Sequence, residues 1–501
     1  MVQNGFSPDL YTFPVILRSC SKISGIREGI QVHGLVVKMG FWSDLYVQNG
    51  LVNMYSVCGK FGDGYKVFTE MPLRDVVSWT SLISGCVKSG LFDRALILFT
   101  NMDVEPNVAT IVSVLVACGR LGDVRLGREI HGWVLKREFE VGVLMGNALM
   151  DMYVKCVCLD DAKKLFCEIS HQRDAISWTC IISGLVQCKC PKEALEFFHA
   201  MQVSGVEPDI ITLASVLSAC ASMGALEIGR WVHEYVDRKG IEWDVHMGTA
   251  MTDMYAKCGS IDMALCTFHQ MQHKNISTYN ALLGGLAMHG HGNEVLDHFE
   301  QLLRLGIRPN EITYLAVLTA CCHSGMVEEG RQHFHHMSRD HNLSPWIEHF
   351  GCVVDLLCRA GLLEEALALT EAMPMPPDVQ IWGALLSACK AKRDVETSLR
   401  ILEHLEEMKC DDSGVYVLLS NIFASNGRWE DAAKVRKLMK NKGIKKHPGS
   451  SIVEIDGKVH EFLVGDSKHP QKEDIHVVLN VLAKQAFFEG HSYEYERLIF
   501  V

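Results

Sequence analysis

The chain has 501 residues, with 48 Lys+Arg against 60 Asp+Glu, a formal charge of −12 and 48% hydrophobic residues, a soluble and globular composition. No apolar stretch approaches the roughly 18 residues needed to cross a bilayer, which excludes a membrane-spanning helix. Its 19 Cys, an odd number without secretory features, argue for reduced thiols in a reducing compartment and against a disulfide framework.

Met1 to Asp9 (MVQNGFSPD) has neither the apolar run of a signal peptide nor the Arg/Ser enrichment of a transit peptide, and reads as the tail of a preceding unit. Further units and an address segment are therefore expected upstream. From Leu10 the chain repeats itself, which overrides the prior of about three domains that length alone gives. VSWTSLISG (Val77 to Gly85) returns as ISWTCIISG (Ile176 to Gly184) and as STYNALLGG (Ser277 to Gly285), at shifts of 99 and 101. NGLVNMYSVCGK (Asn49 to Lys60) returns as NALMDMYVKCVC from Asn147 and TAMTDMYAKCGS from Thr249. VSVLVACGRLG (Val112 to Gly122) returns as ASVLSACASMG from Ala214 and AVLTACCHSG from Ala316. Each superrepeat thus holds three related units.

Each unit predicts two short helices. In the unit from Val143, Ala148, Leu149 and Met152 lie at helical spacing. A break follows at Cys156 to Leu159, and Ala162, Leu165 and Phe166 form a second apolar stripe. Helices under about 12 residues are marginal alone, so each pair must bury its stripe against its neighbours. The expected architecture is all-α: a solenoid of helical hairpins whose concave face is lined by equivalent positions of every first helix. Beyond Asp378, VQIWGALLSACKAKRDVE and Val415 to His447 still read as helical pairs. Pro448 to Pro470 switches to period two around Asp456-Gly457, which predicts a β-hairpin with a type I′ turn.

These residues resemble a plant pentatricopeptide repeat protein of the class that alternates P-type, long and short motifs. The unit lengths fit: 35 for Leu10 to Asp44, 31 to Asp75, a shortened 32 to Asn107, then 35, 32 and 35 to Asp209, with two more to Asn275 and a P-type unit to Asn310. Glu311 to Trp346 and Ile347 to Asp378 resemble the variant long and short motifs that close such arrays, making eleven units over residues 10–378. A tetratricopeptide array is the nearest rival, but its W-x-x-L-G-x-x-Y pattern is missing from the first helices. The resemblance implies a right-handed solenoid, an E extension over 379–447, an E+ segment over 448–484 and a divergent tail over 485–501.

In the resembled family one unit reads one base of single-stranded RNA through the fifth residue of its first helix and the last residue of the unit. A terminal Asp only accepts, which suits the ring N–H of U or G, whereas a terminal Asn can donate to the bare ring nitrogen of C or A. The resemblance pairs Asn at the fifth position with pyrimidines and Thr with purines. It implies U for Asn49 with Asp75, A for Thr80 with Asn107, U for Asn147 with Asp174, G for Thr179 with Asp209, A for Thr249 with Asn275, and C for Asn280 with Asn310. Pro14, Val112, Ala214 and Leu315 of the long units cannot make the selecting hydrogen bond, and the closing pair Gly351 and Asp378 is uninformative. The predicted target is 5′-nUAnUGnACnn-nnn-C, ending on the edited C. The same Asn, Thr and Asp residues can also be plain helix caps, and Val77 and Ile176 at the second position can wedge between bases or simply pack.

Charge pulls the other way. Residues 379–501 carry 18 basic and 18 acidic side chains, so residues 1–378 hold 30 and 42 and the whole −12. Such an array is expected to bind RNA through matched bases more than through phosphates. Lys434 to His447, with seven Lys/Arg and no acid, is either a contact for RNA or an acidic partner, or a solvated face.

A zinc deaminase needs a C-x-x-C pair, and the chain has none; HSYEYERL (His491 to Leu498) echoes such a domain only faintly. No catalysis, cofactor or metal is assigned. The C-x-C pairs Cys156/Cys158 and Cys188/Cys190 lack a second ligand pair. The histidines at 323, 333, 335, 336, 341 and 349 fall within one stretch and read as surface or packing residues.

The resulting expectation is a sequence-specific RNA-binding adaptor for organellar C-to-U editing, without membrane association. Its C-terminal extension recruits a DYW-type deaminase in trans together with editing accessory factors, in the mitochondrion ahead of the chloroplast. The rivals are an RNA-stabilising or splicing factor and a helical scaffold that binds only protein.

Overall fold

A computed structural model describes residues 8–137, 142–169, 173–407, 412–444, 449–455, 458–463 and 471–488. Among these are 27 α-helices and two strands, and the first 26 helices form consecutive pairs, from Thr12–Lys22 with Ile26–Lys38 to Ser413–Ser425 with Trp429–Asn441. The chain divides into two compact units, up to Ala219 and from Cys220. Within each, a first helix packs against its own second helix and against the next first helix, as Leu45–Val57 does on Val76–Lys88 and Val245–Lys257 does on Ile276–Met288. This is an α-solenoid of helical hairpins.

Caps set where each first helix starts. Asp44, Asp75, Asn107, Asp174, Asp244, Asn275, Asn310 and Asp378 each accept a hydrogen bond from the backbone N–H three residues on. They satisfy an N–H that the helix itself leaves unpaired. These positions are the unit ends read from the sequence.

The turn between the two helices of a pair needs a left-handed residue, supplied by Gly59, Gly90, Gly259 and Gly290. Val157 and Lys189 occupy the same turn with φ of 60°. A β-branched residue is strained there. Because the Val157 side chain is 73% exposed, Val157→Gly is expected to raise unfolding stability by about 0.5–1 kcal/mol. A denaturant midpoint that stays put or falls would contradict this.

The joint between successive units recurs with its chemistry intact. Phe68 meets Trp79 edge-on at 4.8 Å, Phe166 meets Trp178 at 4.7 Å, and Phe268 meets Tyr279 at 5.1 Å. A cation sits over the Phe ring each time: Arg74, Arg173 and Lys274 at 5.0, 4.1 and 5.1 Å. Close approach of first helices depends on small residues: a Cβ on Gly85, Gly184 or Gly285 would fall 2.3, 2.6 or 2.1 Å from Ser56, Val154 or Ala256.

Past the helical pairs, Ser450–Ile455 (β1) and Lys458–Leu463 (β2) pair antiparallel, with Ile455 opposite Lys458 and Ser450 opposite Leu463. That register leaves two residues for the turn; Asp456-Gly457 itself lies outside the described residues, as do the tail beyond 488 and residues 445–447 at the end of the basic run. A further helix, Lys472–Phe488, has no counterpart in the sequence reading. Its apolar residues Val477, Val478, Leu479, Val481 and Leu482 run together instead of forming a stripe, and all are exposed.

Candidate nucleic-acid interface

The end of each unit and the fifth position of its first helix meet because the first is the cap of the next first helix, which packs beside the second. In the column of Asn49 and Asp75, Asn49 Nδ2 donates to Asp75 Oδ1 at 3.1 Å. The same Oδ1 caps the Ser78 N–H at 2.9 Å, and the Ser78 hydroxyl lies 2.6 Å from Asn49 Oδ1. Asn147, Asp174 and Ser177 repeat this at 3.1, 2.8 and 2.7 Å. Asn280, Asn310 and Thr313 do so at 3.1, 3.0 and 2.7 Å. The backbone N–H of Thr313 can only donate, which identifies Asn310 Oδ1 as the oxygen and leaves Asn280 to present its NH₂.

Thr columns use the same three positions differently. Thr80, Thr179 and Thr249 donate to the carbonyls of Val76, Ala175 and Val245 at 2.6, 2.8 and 2.6 Å. Each hydroxyl also shares a hydrogen bond with the next helix, with Thr110, Thr212 and Thr278 at 2.7, 2.7 and 2.8 Å, and those three hydroxyls reach the cap oxygens of Asn107, Asp209 and Asn275 at 2.9, 2.8 and 3.1 Å. Asn107, Asp209 and Asn275 cap those helices through one oxygen at 2.9, 2.7 and 3.0 Å.

In all six columns the cap uses Oδ1 alone. No hydrogen bond among the described residues engages the second side-chain atom: Oδ2 of Asp75, Asp174 and Asp209, Nδ2 of Asn107, Asn275 and Asn310. Capping and a second interaction are therefore compatible in one side chain. Burial pushes the Asp75 carboxyl up, but the Ser78 N–H, its hydroxyl and the Asn49 amide outweigh it and hold the group below its usual range. For Asp174 burial is likewise outweighed by Ser177 and Asn147. Both stay ionised, acceptor-only groups at neutral pH. Second-position side chains stand beside these columns in water: Tyr46, Val77, Leu144 and Ile176 are exposed, Ile176 to 61%. Packing within the chain does not account for them.

Three buried hydroxyls and three more like them were not singled out by the sequence reading: Ser78, Thr110, Ser177, Thr212, Thr278 and Thr313, each 0% exposed. The signal was available as a Ser or Thr three residues after the Asp or Asn cap of each of the six columns. The five other first helices that follow a unit have Val47, Met145, Met247, His349 and Ile381 there.

Other clusters have structural partners. His323 Nδ1 lies 2.8 Å from the Ala287 carbonyl, and His349 accepts from the Trp346 N–H while its other nitrogen lies 2.8 Å from the Glu311 carbonyl. Among the described residues no group of three or more His, Cys, Asp or Glu could hold a metal ion. Cys156 and Cys158 direct their thiols at backbone carbonyls of Cys118 and Cys156. In the basic run, Lys434 pairs with Asp431 at 3.1 Å, Arg436 donates to Ser420 Oγ and Lys442 to the Tyr416 hydroxyl, each at 2.9 Å. Part of that run serves the helical pair itself.

The profile of the PPR repeat matches residues 49–76, 77–105, 147–172, 312–341 and 348–375, and that of the PPR repeat family 173–222 and 274–323. The pentatricopeptide repeat domain matches 232–289 and the E motif 392–454. A pentatricopeptide repeat-containing protein of Arabidopsis thaliana is 57% identical over 90% of this chain and 81% of its own length. Two more from that plant, one chloroplastic and one mitochondrial by name, are 40% and 37% identical over 97% and 95% of this chain and 71% and 75% of theirs. The crystal structure of the maize pentatricopeptide repeat protein PPR10 superposes with a TM-score of 0.52, at 16% identity over 88% of this chain and 76% of that one. The chain belongs to the pentatricopeptide repeat family and carries its E motif.

Proposed function

We propose that this protein is a sequence-specific binder of single-stranded RNA that selects sites of organellar C-to-U editing. In this reading its array alternates P-type, long and short units, and the C-terminal extension recruits a deaminase carried by another chain. The observation that carries the reading is the half-engaged cap: six side chains hold a helix N-terminus with one atom and keep a donor or acceptor free with the other. For U, the ring N–H would donate to the free Oδ2 of Asp75 or Asp174, and a carbonyl of the base would accept the second N–H of Asn49 or Asn147. For C, Asn310 Nδ2 would donate to the bare ring nitrogen. Thr is shorter than Asn and its hydroxyl is already committed, so the Thr columns leave room for a purine selected by the cap alone: A by Asn107 and Asn275, G by Asp209. Exposed Val77 and Ile176 would lie between successive bases.

The editing role is supported by the family and its E motif, as is an organelle location, mitochondrion ahead of chloroplast; two relatives are mitochondrial and one chloroplastic by name. Mobility shift of the full chain tests the binding step. RNA of the pattern 5′-nUAnUGnACnn is expected to bind at least about tenfold tighter than one with its U and C columns exchanged, since each mismatched edge loses hydrogen bonds to buried-edge groups. Equal binding of the two, or none at modest salt, would leave the acidic array better explained as a scaffold for protein. Transcripts of both organelles in plants lacking the protein should retain C after the predicted pattern; full editing everywhere would overturn the editing role and leave RNA stabilisation or splicing.

A further inference from the structure

We propose that the third residue of the following first helix, a buried Ser or Thr, is the positioning residue that makes a column selective. Its hydroxyl locks the fifth-position side chain and the cap into one geometry, and a column without it reads no base. The inference rests on the base-reading role above and deepens it.

Proton counting carries the argument. Ser177 Oγ lies 2.7 Å from Asn147 Oδ1 and 2.8 Å from Asp174 Oδ1, and it has one proton to give. Asp174 Oδ1 already receives the Ser177 N–H and the Asn147 NH₂. Asn147 Oδ1 has no other donor among the described residues, so the hydroxyl proton goes to it. This fixes the amide with its oxygen inward, one N–H on the carboxylate and the second N–H free for a base. Removing the hydroxyl leaves the buried amide oxygen unpaired, so the side chain can turn over and present an acceptor where U needs a donor. In the Thr columns the third-position hydroxyl bridges the fifth-position hydroxyl and the cap oxygen, as Thr212 does between Thr179 and Asp209 at 2.7 and 2.8 Å.

The correspondence holds in both directions along the array. Every column with a polar fifth residue is followed by Ser or Thr at the third position. Columns with Pro14, Val112, Ala214, Leu315 and Gly351 are followed by Val47, Met145, Met247, His349 and Ile381. The closing column shows how nearly complete such a site can be. Asp378 caps Ile381 N–H at 2.9 Å, and a Cβ on Gly351 would stand 3.8 Å from Ile381 Cγ1, an ordinary contact. An Asn there has a cap to meet but no hydroxyl.

The experiment measures base preference column by column on the full chain, by fluorescence anisotropy with synthetic RNAs that differ at one position. Ser177→Ala should cut the U-over-C ratio at the Asn147 column by about fivefold, leave the Asn49 column unchanged, and be rescued by Ser177→Thr. An unchanged ratio at the Asn147 column overturns the inference, and so does an equal loss in both columns, which would mark general loosening. Gly351→Asn alone should create no preference, whereas Gly351→Asn with Ile381→Thr should favour U by about fivefold; the same preference in the single variant overturns it. This gain decides the matter if Ser177→Ala fails to fold in a thermal melt. A wild type indifferent to U or C at the Asn147 column rejects base reading itself and this inference with it; a selective wild type beside an equally selective Ser177→Ala rejects only the positioning role.

Discussion

Asp174→Asn should turn the Asn147 column from U to C while leaving the fold almost untouched. Asn and Asp are equivalent N-caps, so the bond to Ser177 N–H at 2.8 Å survives through Oδ1. Loss of the negative charge at the helix N-terminus removes a small dipole interaction, and unfolding stability should change by no more than about 0.5–1 kcal/mol. The outward atom changes from Oδ2, which only accepts, to Nδ2, which donates. Against RNAs differing only at that column, the U-over-C ratio should reverse, by about tenfold in each direction for one hydrogen bond gained and one repulsive contact made. Asp174→Ala serves as the contrast: it should lose about 1 kcal/mol of stability with the cap and the base preference together. A variant Asp174→Asn that still prefers U would show that the cap atom facing outward does not contact the base.

Much of the geometry of these columns was legible in the sequence, for a physical reason. A side-chain acceptor favours a helix start, so Asp75, Asn107, Asp174, Asn275 and Asn310 mark unit ends in sequence and in space alike. The fifth position follows by counting from them. What could not be read was that one side chain caps a helix and still keeps a second polar atom unengaged. From sequence, capping and base contact compete as explanations of Asp174; the structure gives Oδ1 to the first and leaves Oδ2 unengaged. The third-position hydroxyls escaped because Ser and Thr near a helix start are common, and only the distance from Ser177 to Asn147 ties two units together. Helix Lys472–Phe488 escaped because its run of Val and Leu has neither helical nor strand periodicity.

The same stacking that builds the columns makes Gly284 and Gly285 respond oppositely to one methyl group. Both lie in the helix Ile276–Met288, and replacing Gly by Ala inside a helix is intrinsically worth up to about 1 kcal/mol. A Cβ on Gly284 meets nothing within 4 Å, so Gly284→Ala should gain most of that. On Gly285 it would fall 2.1 Å from Ala256 Cβ and 3.0 Å from the Ala256 Cα, and backbone cannot swing aside as a side-chain tip can. The helix must move away from Val245–Lys257, and overpacking of this kind should leave Gly285→Ala less stable by about 1–2 kcal/mol net of the helix gain. That displacement also has a functional reading. Thr249 is on one of these helices and Thr278 on the other, 2.8 Å apart, so widening the joint parts the column of Thr249 and Asn275. Gly285→Ala should therefore weaken the preference for A at that column, while Gly284→Ala keeps it. Paired chemical melts and single-column binding measurements check both halves; equal stability of the two variants would mean that the first helices are not held together at Gly285.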